Sequence, residues 1–73
     1  MPQLPILSGR ELAKILAKLG YALVRQRGSH MRLAANGKKS VTVPDYKIID
    51  RSLLMKILRD AELSTEEFVK LLV

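Results

Sequence analysis

A small α+β domain, with a three-stranded antiparallel sheet covered on one face by helices, is the fold that the 73-residue sequence predicts. Two capping-box patterns, each followed by apolar residues at helical spacing, indicate helices towards the two ends of the chain. Between them, three short apolar and β-branched segments are separated by Gly-Ser and Asn-Gly, which is typical of a β-meander. The predicted order is helix, three strands, helix and a short extra helix, in one domain over residues 1–73.

The first helix is predicted over about residues 9–19. Ser8 and Glu11 form a capping box, in which each side chain accepts a hydrogen bond from the backbone N–H of the other residue. The apolar residues that follow at i, i+3, i+4 and i+7 are Leu12, Ile15, Leu16 and Leu19. Gly20 supplies the left-handed residue that ends such a helix.

Three strands are predicted at residues 21–27, 30–34 and 40–43. Gly28-Ser29 separates the first two as a two-residue type II′ turn, because glycine suits the first position of that turn. Pro44 has no N–H to donate to a ladder, so we expect the third strand to end there.

The turns set the register of the two predicted hairpins. The first turn predicts the pairs Arg27–His30, Arg25–Arg32 and Val24–Leu33. For the second hairpin we predict a three-residue loop over 36–38, because a two-residue Asn-Gly turn mixes apolar and polar residues on each face. Its pairs are then Leu33–Val41, Arg32–Thr42 and Met31–Val43.

Alternation along these strands predicts one apolar face and one basic face. The apolar face, which the helices are expected to cover, holds Ala22, Val24, Met31, Leu33, Val41 and Val43. The open face holds Arg25, Arg27, His30, Arg32 and Thr42, and alternation adds Tyr21 and Leu23 to it. Arg25 opposite Arg32 is a like-charge pair, which favours an anion bound between them.

Two further helices are predicted after the sheet. Asp50 is the expected N-cap of the second helix, whose apolar side carries Leu53, Leu54, Ile57, Leu58 and Ala61. Ser64 and Glu67 form another capping box, which opens a short last helix carrying Phe68, Leu71 and Leu72.

The composition points to a basic protein of a reducing compartment. The chain has no cysteine, so disulfides are excluded and the cytoplasm is expected. No apolar run is long enough to cross a membrane, and the N-terminal MPQLPIL lacks the basic start of a signal peptide. The net charge is +6, and residues 25–39 hold five basic residues and no acid. This distribution favours a polyanionic partner such as nucleic acid.

His30, the only histidine in the chain, is either a solvated strand residue or part of a site. RNA cleavage by attack of a 2′-hydroxyl on the adjacent phosphate needs an acid–base group, for which imidazole is well suited. It also needs cations on the phosphate, and the candidates are Arg25, Arg27, Arg32, Lys38 and Lys39. Tyr46 either stacks on a base or packs at the rim of the core, and packing is the simpler interpretation. A single histidine without cysteine gives little support for a metal site, and no cofactor is expected.

Four segments carry a resemblance to a known family: LAKLGY, RQRGSHMRL, the Val-Thr-Val-Pro strand and LLMKILRDAELSTEEFVKLL. Over about residues 8–72 the chain resembles the HicA (YcfA-like) toxin mRNA interferases. The resemblance implies a fold similar to the double-stranded-RNA-binding domain and metal-independent cleavage of mRNA. It implies that His30 is the catalytic residue and that Gly28 and Ser29 shape the turn presenting it. It also implies a HicB-like antitoxin that covers the active face in a hetero-oligomer.

The chain departs from that family at three places. Tyr46 stands about where a second histidine is common, so any second proton transfer passes to Tyr46 as an auxiliary residue, an arginine, a lysine or water. Arg51-Ser52 and Glu62 stand where glycine is usual, at the two ends of the second helix. The alternatives to a ribonuclease are a non-catalytic RNA-binding module, an inactive toxin homologue and a domain that docks an acidic protein.

Overall fold

A computed structural model describes residues 4–72 of the chain. The elements are α1 (Gly9–Ala17), β1 (Ala22–Arg27), β2 (His30–Ala34), β3 (Val41–Pro44), α2 (Arg51–Asp60) and α3 (Thr65–Lys70). The strands form one antiparallel sheet in the order β1-β2-β3, which confirms the predicted α+β fold. Residues 1–3, at the start of the MPQLPIL segment, and Val73 lie outside the described residues.

Both predicted capping boxes are present and fix where two of the helices begin. The Glu11 N–H donates to Ser8 Oγ at 3.1 Å, and the Ser8 N–H donates to Glu11 Oε1 at 3.0 Å. Ser64 and Glu67 exchange the same two hydrogen bonds, each at 3.1 Å. The bond that each carboxylate accepts from the serine N–H favours the ionised form, and it lowers the pKa of the Glu11 and Glu67 carboxyls.

The first helix is shorter than predicted. α1 ends at Ala17, and residues 18–20 form a turn that closes at Gly20, where φ is +95°. Gly20 therefore supplies the predicted left-handed stop. Leu19 extends the apolar spacing past the helix end because it still packs against the core from within the turn.

The second hairpin has the predicted register. Its pairs are His30–Pro44, Met31–Val43, Arg32–Thr42 and Leu33–Val41. The four apolar residues of these two strands that point towards the helices are at most 5% exposed: Met31, Leu33, Val41 and Val43. β3 extends to Pro44 and ends there, as expected of a residue without an N–H.

A β-bulge in the first hairpin overturns part of the predicted register. The pairs nearest the turn are as predicted, Arg27–His30 and Arg25–Arg32. Beyond them Leu23, and not Val24, lies opposite Leu33. Val24 is the extra residue of the bulge, and an extra residue reverses the alternation of faces for the part of the strand that precedes it.

The bulge exchanges the faces of the first strand residues. Ala22 and Val24, predicted to be in the core, are exposed, and Val24 is 61% exposed on the open face. Tyr21, predicted on the basic face, is 3% exposed, and its hydroxyl donates to Lys39 O at 2.9 Å. Leu23 also moves to the helix side, where it is 54% exposed at the sheet edge. The prediction for these four residues was wrong because alternation was carried through the bulge.

The helices pack on the side of the sheet that carries Met31 and Leu33. The most deeply buried large side chains come from all three helices and from β3: Phe68, Leu12, Leu16, Leu54, Leu58, Val41 and Val43. Leu71 and Leu72 lie in a turn after α3, and Leu72 is 36% exposed. The opposite side of the sheet carries no helix of the described chain, residues 4–72, which leaves it open.

Glu62 has a left-handed backbone conformation. Its φ is +57°, and no other non-glycine residue between residues 4 and 72 has a positive φ. It follows Ala61, the C-cap of α2, at the position where glycine commonly ends a helix. A side chain in this conformation is strained by contact of its Cβ with the backbone.

Glu62→Gly is therefore expected to stabilise the protein, by about 0.5–1 kcal/mol after the larger unfolded-state entropy of glycine is subtracted. For a domain of this size the melting temperature should rise by roughly 2–8 °C. Glu66→Gly is the matched control, because Glu66 lies in the first turn of α3 and should lose stability on the same change. Thermal unfolding followed by circular dichroism measures both, and a lower melting temperature for Glu62→Gly would contradict the strain.

Candidate active site

The turn at Gly28-Ser29 brings His30 to the start of the central strand. Gly28 has φ +55° and Ser29 has no positive φ, as the predicted type II′ turn requires. The Ser29 carbonyl accepts from the Asp45 N–H, which ties the turn to the chain leaving β3. His30 pairs with Arg27 on one side and Pro44 on the other, and its side chain is exposed on the open face.

A groove of about 700 Å³ runs over the open face beside His30. Its lining residues are Val24, Arg25, Arg27, His30, Arg32, Ser40 and Thr42. Arg32 Nη1 donates to Thr42 Oγ1 at 2.9 Å, so the neighbouring strand holds this guanidinium in place. We call this depression the basic groove, because its lining contains three arginines and no carboxylate. Such a lining attracts anions.

A second groove, of about 360 Å³, lies on the other side of His30 between the sheet edge and α2. It shares His30, Arg32, Ser40 and Thr42 with the basic groove, and its other lining residues are Pro44, Tyr46, Leu53, Lys56, Ile57 and Asp60. We call it the α2 groove. The two depressions therefore meet at the histidine and at one arginine.

The α2 wall of this second groove was not predicted from the sequence. The residues that α2 contributes, Leu53, Lys56, Ile57 and Asp60, follow the i, i+3, i+4, i+7 spacing of one helix face. The signal in the sequence was the presence of a lysine and an aspartate within that otherwise apolar stripe. The stripe alone does not reveal that its polar members border the open face.

A sequence model of the HicA toxins of bacterial toxin–antitoxin systems matches residues 9–63, which include every lining residue of the two grooves. The chain belongs to the HicA toxin family. It is therefore the toxin of a toxin–antitoxin pair, and its partner is an antitoxin. Comparison with curated proteins and with solved structures found no match.

The first turn of α1 holds the segment that carries Tyr46 in this HicA toxin. The Gly9 N–H donates to Tyr46 O at 2.8 Å. Arg10 Nε and Nη2 donate to the two carboxylate oxygens of Asp45 at 3.1 and 3.2 Å. Tyr46 is 47% exposed and lies at the rim of the α2 groove.

The structure does not bring Lys38 and Lys39 into either groove of the toxin. The Lys39 carbonyl accepts from the Tyr21 hydroxyl, which holds this residue at the base of the second hairpin loop. The pKa of the Glu67 carboxyl is lowered first by its hydrogen bonds with Ser64 and in smaller part by the charges of Lys70 and Lys38. The arginines predicted around His30 are brought together, whereas the two lysines stand apart.

Neither metal ligands nor membrane-spanning elements are found in the described part of the HicA toxin. Within residues 4–72, no three histidine, cysteine or acidic side chains are close enough to hold a metal ion. Over the same residues, no helix combines the length and the apolar character needed to cross a membrane.

Proposed function

We propose that this HicA toxin is an endoribonuclease that cleaves single-stranded or locally unpaired mRNA, with His30 as its acid–base group. The observation that supports the proposal is one exposed imidazole beside three guanidinium groups on a sheet face that no helix of residues 4–72 covers. Arg25 and Arg32 lie opposite each other without a carboxylate in the groove. A bound phosphate would relieve their repulsion through charge-assisted hydrogen bonds.

The proposed reaction starts with transfer of the ribose 2′-hydroxyl proton to the His30 imidazole. The 2′-oxygen attacks the adjacent phosphorus, and the bond from phosphorus to the 5′-oxygen of the next nucleotide breaks. The products are a 2′,3′-cyclic phosphate and a 5′-hydroxyl, and DNA is not a substrate because it lacks the nucleophile. The three arginines neutralise the phosphate and stabilise the charge that develops on its oxygens. Side chains supply the base and the cations, so we propose that no metal takes part.

The departing 5′-oxygen needs a proton from a second group. The α2 groove offers the Tyr46 hydroxyl and the Lys56 ammonium, and the exposed face offers water. Tyr46 stands about where similar toxins commonly have a second histidine, so we assign it an auxiliary role there. Its half-exposed position beside the groove that includes His30 supports this assignment.

We propose a HicB-like protein as the antitoxin. Its inhibitory surface is expected to be acidic, because it must cover the three arginines of the basic groove. The toxin and the antitoxin would form a hetero-oligomer in which the basic groove is closed to RNA. Since mRNA is the proposed substrate, the proposed place of action is the cytoplasm.

The second candidate function is RNA binding without cleavage. The observation that favours it is Tyr46 in place of the second histidine, which leaves His30 as the only imidazole on the face. An inactive toxin homologue and a docking domain for an acidic protein share the same basic surface. RNA affinity distinguishes these candidate functions. A docking domain for an acidic protein should show no RNA affinity at physiological salt, in contrast to the others.

Cleavage of a fluorescent single-stranded RNA by the purified toxin in EDTA tests the proposal. We expect products that end in a 2′,3′-cyclic phosphate, and no cleavage of the same sequence made with 2′-fluoro sugars, which lack the nucleophile. Tight RNA binding without cleavage by folded protein would favour the second candidate. Cleavage that appears only when Mg²⁺ or Mn²⁺ is added would overturn the metal-free chemistry.

Phosphate contact by the basic groove predicts a specific change in salt dependence. Arg27→Gln should weaken RNA binding and reduce the slope of log K against log[salt] by about 0.7, since one single-strand phosphate contact is lost. Lys14→Gln removes the same charge from an exposed site on α1 and should leave the slope unchanged. Lys38→Gln and Lys39→Gln should have smaller effects than Arg27→Gln, because neither lysine lines a groove. Fluorescence anisotropy over a salt series provides the slopes, and equal slopes for Arg27→Gln and wild type would exclude the arginine contact.

A further inference from the structure

We infer that the α2 groove binds the base of a nucleotide adjacent to the phosphate in the basic groove, and that it prefers bases with an exocyclic amino group. The inference rests on the proposed RNA cleavage, because it assigns the remaining part of the same substrate. It adds a base-recognition site formed by Tyr46, Lys56 and Asp60. The proposed chemistry names the first two as candidate proton donors and leaves Asp60 without a role.

The two grooves differ in charge, which indicates that the basic groove binds the phosphate and the α2 groove binds the base. The basic groove has three arginines and no carboxylate. The residues that line only the α2 groove include one lysine and one aspartate, whose charges cancel. This part of the α2 groove therefore offers no net attraction for a phosphate, whereas a neutral ring with polar edges suits it.

Part of the lining of the α2 groove is apolar, which suits the face of a flat ring. Pro44, Leu53 and Ile57 line this part, and Tyr46, which is 47% exposed, borders it. A volume of about 360 Å³ is within the usual range for small-ligand sites. Bases stack on exposed aromatic rings in single-stranded RNA complexes, largely without regard to sequence. The Gly9–Tyr46 hydrogen bond holds the backbone from which this ring extends.

Asp60 supplies the selectivity. It is the last residue of α2, where a negative charge opposes the helix dipole. Within residues 4–72 its carboxylate makes no hydrogen bond or ion pair, not even with Lys56 one turn earlier in the same helix. Both of its oxygens are therefore available as acceptors at the groove.

A free carboxylate at this position discriminates between bases through hydrogen-bond polarity. Ionised aspartate only accepts, and the amino groups of cytosine, adenine and guanine donate. The pairing edge of uracil has a single N–H between two carbonyl oxygens. A carboxylate repels these two oxygens. Lys56 can donate to the ring nitrogen or carbonyl beside the amino group. His30 and Arg32 line both grooves, so a phosphate held there leaves its nucleotide next to the α2 groove.

The test compares binding of three uncleavable single strands of equal length: 2′-fluoro oligo(C), 2′-fluoro oligo(U) and an abasic phosphodiester. Binding is measured by anisotropy competition at one salt concentration. Wild-type toxin should bind oligo(C) at least about fivefold more tightly than either of the others, the lower end of what one stacked and hydrogen-bonded base provides. Equal affinity for oligo(C) and the abasic strand would overturn the inference.

Two variants assign the preference to its residues. Tyr46→Ala should lower the affinity for both base-bearing strands at least about fivefold and leave the affinity for the abasic strand unchanged. Asp60→Asn should abolish the preference for oligo(C) over oligo(U). Glu66→Gln, the control, removes one exposed carboxylate from α3 and should keep that preference. An equal loss of affinity for the abasic strand in Tyr46→Ala would contradict the base site. A preference for oligo(C) over oligo(U) that survives Asp60→Asn would contradict it as well.

Cleavage of all-ribose oligo(C) and oligo(U) is measured alongside binding. If wild-type toxin cleaves neither, the proposed ribonuclease fails while the binding ratios still decide whether the α2 groove recognises a base. If it cleaves both equally and binds both equally, the ribonuclease stands and the base site fails. We expect faster cleavage of oligo(C), with the difference lost in Asp60→Asn.

Discussion

Replacing His30 by alanine should lower the rate of RNA cleavage by about 10²- to 10⁴-fold, the usual contribution of a positioned acid–base group. The change removes the only imidazole of the chain and leaves the three arginines of the basic groove in place. RNA binding should therefore persist while chemistry is lost. The measurement is kcat/KM on a fluorescent single-stranded RNA in EDTA, beside the Kd for its 2′-fluoro version.

Unfolding is a poor explanation for such a loss, because the His30 side chain is exposed and lies outside the buried core. The stability change should be within about 0.5 kcal/mol, as for other surface substitutions. Lys14→Ala, on the helix side, serves as the control for both activity and melting temperature. Cleavage by folded His30→Ala protein at the wild-type rate would show that another group acts as the base.

The features that the sequence predicted correctly are encoded within a few residues of each other. Each capping box needs only a serine and a glutamate three positions apart, and both begin a helix where expected. The turn at Gly28-Ser29 fixes the pairing of the arginines nearest to it. These local rules were sufficient to group the arginines with His30 from the amino-acid sequence alone.

The bulge at Val24 was not predictable by the same rules. Tyr21, Leu23 and Val24 are all apolar or aromatic, so either alternation of this segment buries apolar surface. The alternation counted from the turn placed the tyrosine on a basic face, and this misplacement was the signal of an extra residue. Because the bulge lies beyond Arg25, it exchanged the sheet faces of the apolar residues before it and left the pairs Arg25–Arg32 and Arg27–His30 unchanged.

The α2 groove depends on how α2 packs against the sheet, which the spacing of residues along the chain does not give. Tyr46 follows β3 and Asp60 ends α2, and they share a groove because α2 packs beside the edge of the sheet. Helical spacing predicted the buried side of α2, and it could not predict which edge of that side borders His30. The part of the candidate site on the sheet was thus predictable, and the part on α2 was not.

Gly9→Ala should have the largest effect on stability. A Cβ at residue 9 would lie 1.9 Å from the Pro44 carbonyl oxygen and 2.9 Å from its carbonyl carbon, both backbone atoms. Neither atom can rotate away, so α1 must move from β3 and weaken the hydrogen bond from Gly9 to Tyr46. Overpacking together with one weakened hydrogen bond should cost about 3 kcal/mol. The melting temperature would then fall by roughly 12–24 °C.

The sign of this effect distinguishes close packing from backbone preference. Gly9 lies in a helix with an ordinary φ, where alanine is intrinsically favoured over glycine, so without the contact the variant would be more stable. Gly37→Ala is the matched control: its Cβ meets no atom within 4 Å and only its φ of +74° is strained. That strain should cost about 1–2 kcal/mol, less than Gly9→Ala. Thermal unfolding of both variants gives the order. A Gly9→Ala protein as stable as wild type would mean that α1 does not approach β3 this closely, and that the segment carrying Tyr46 is not held by the helix.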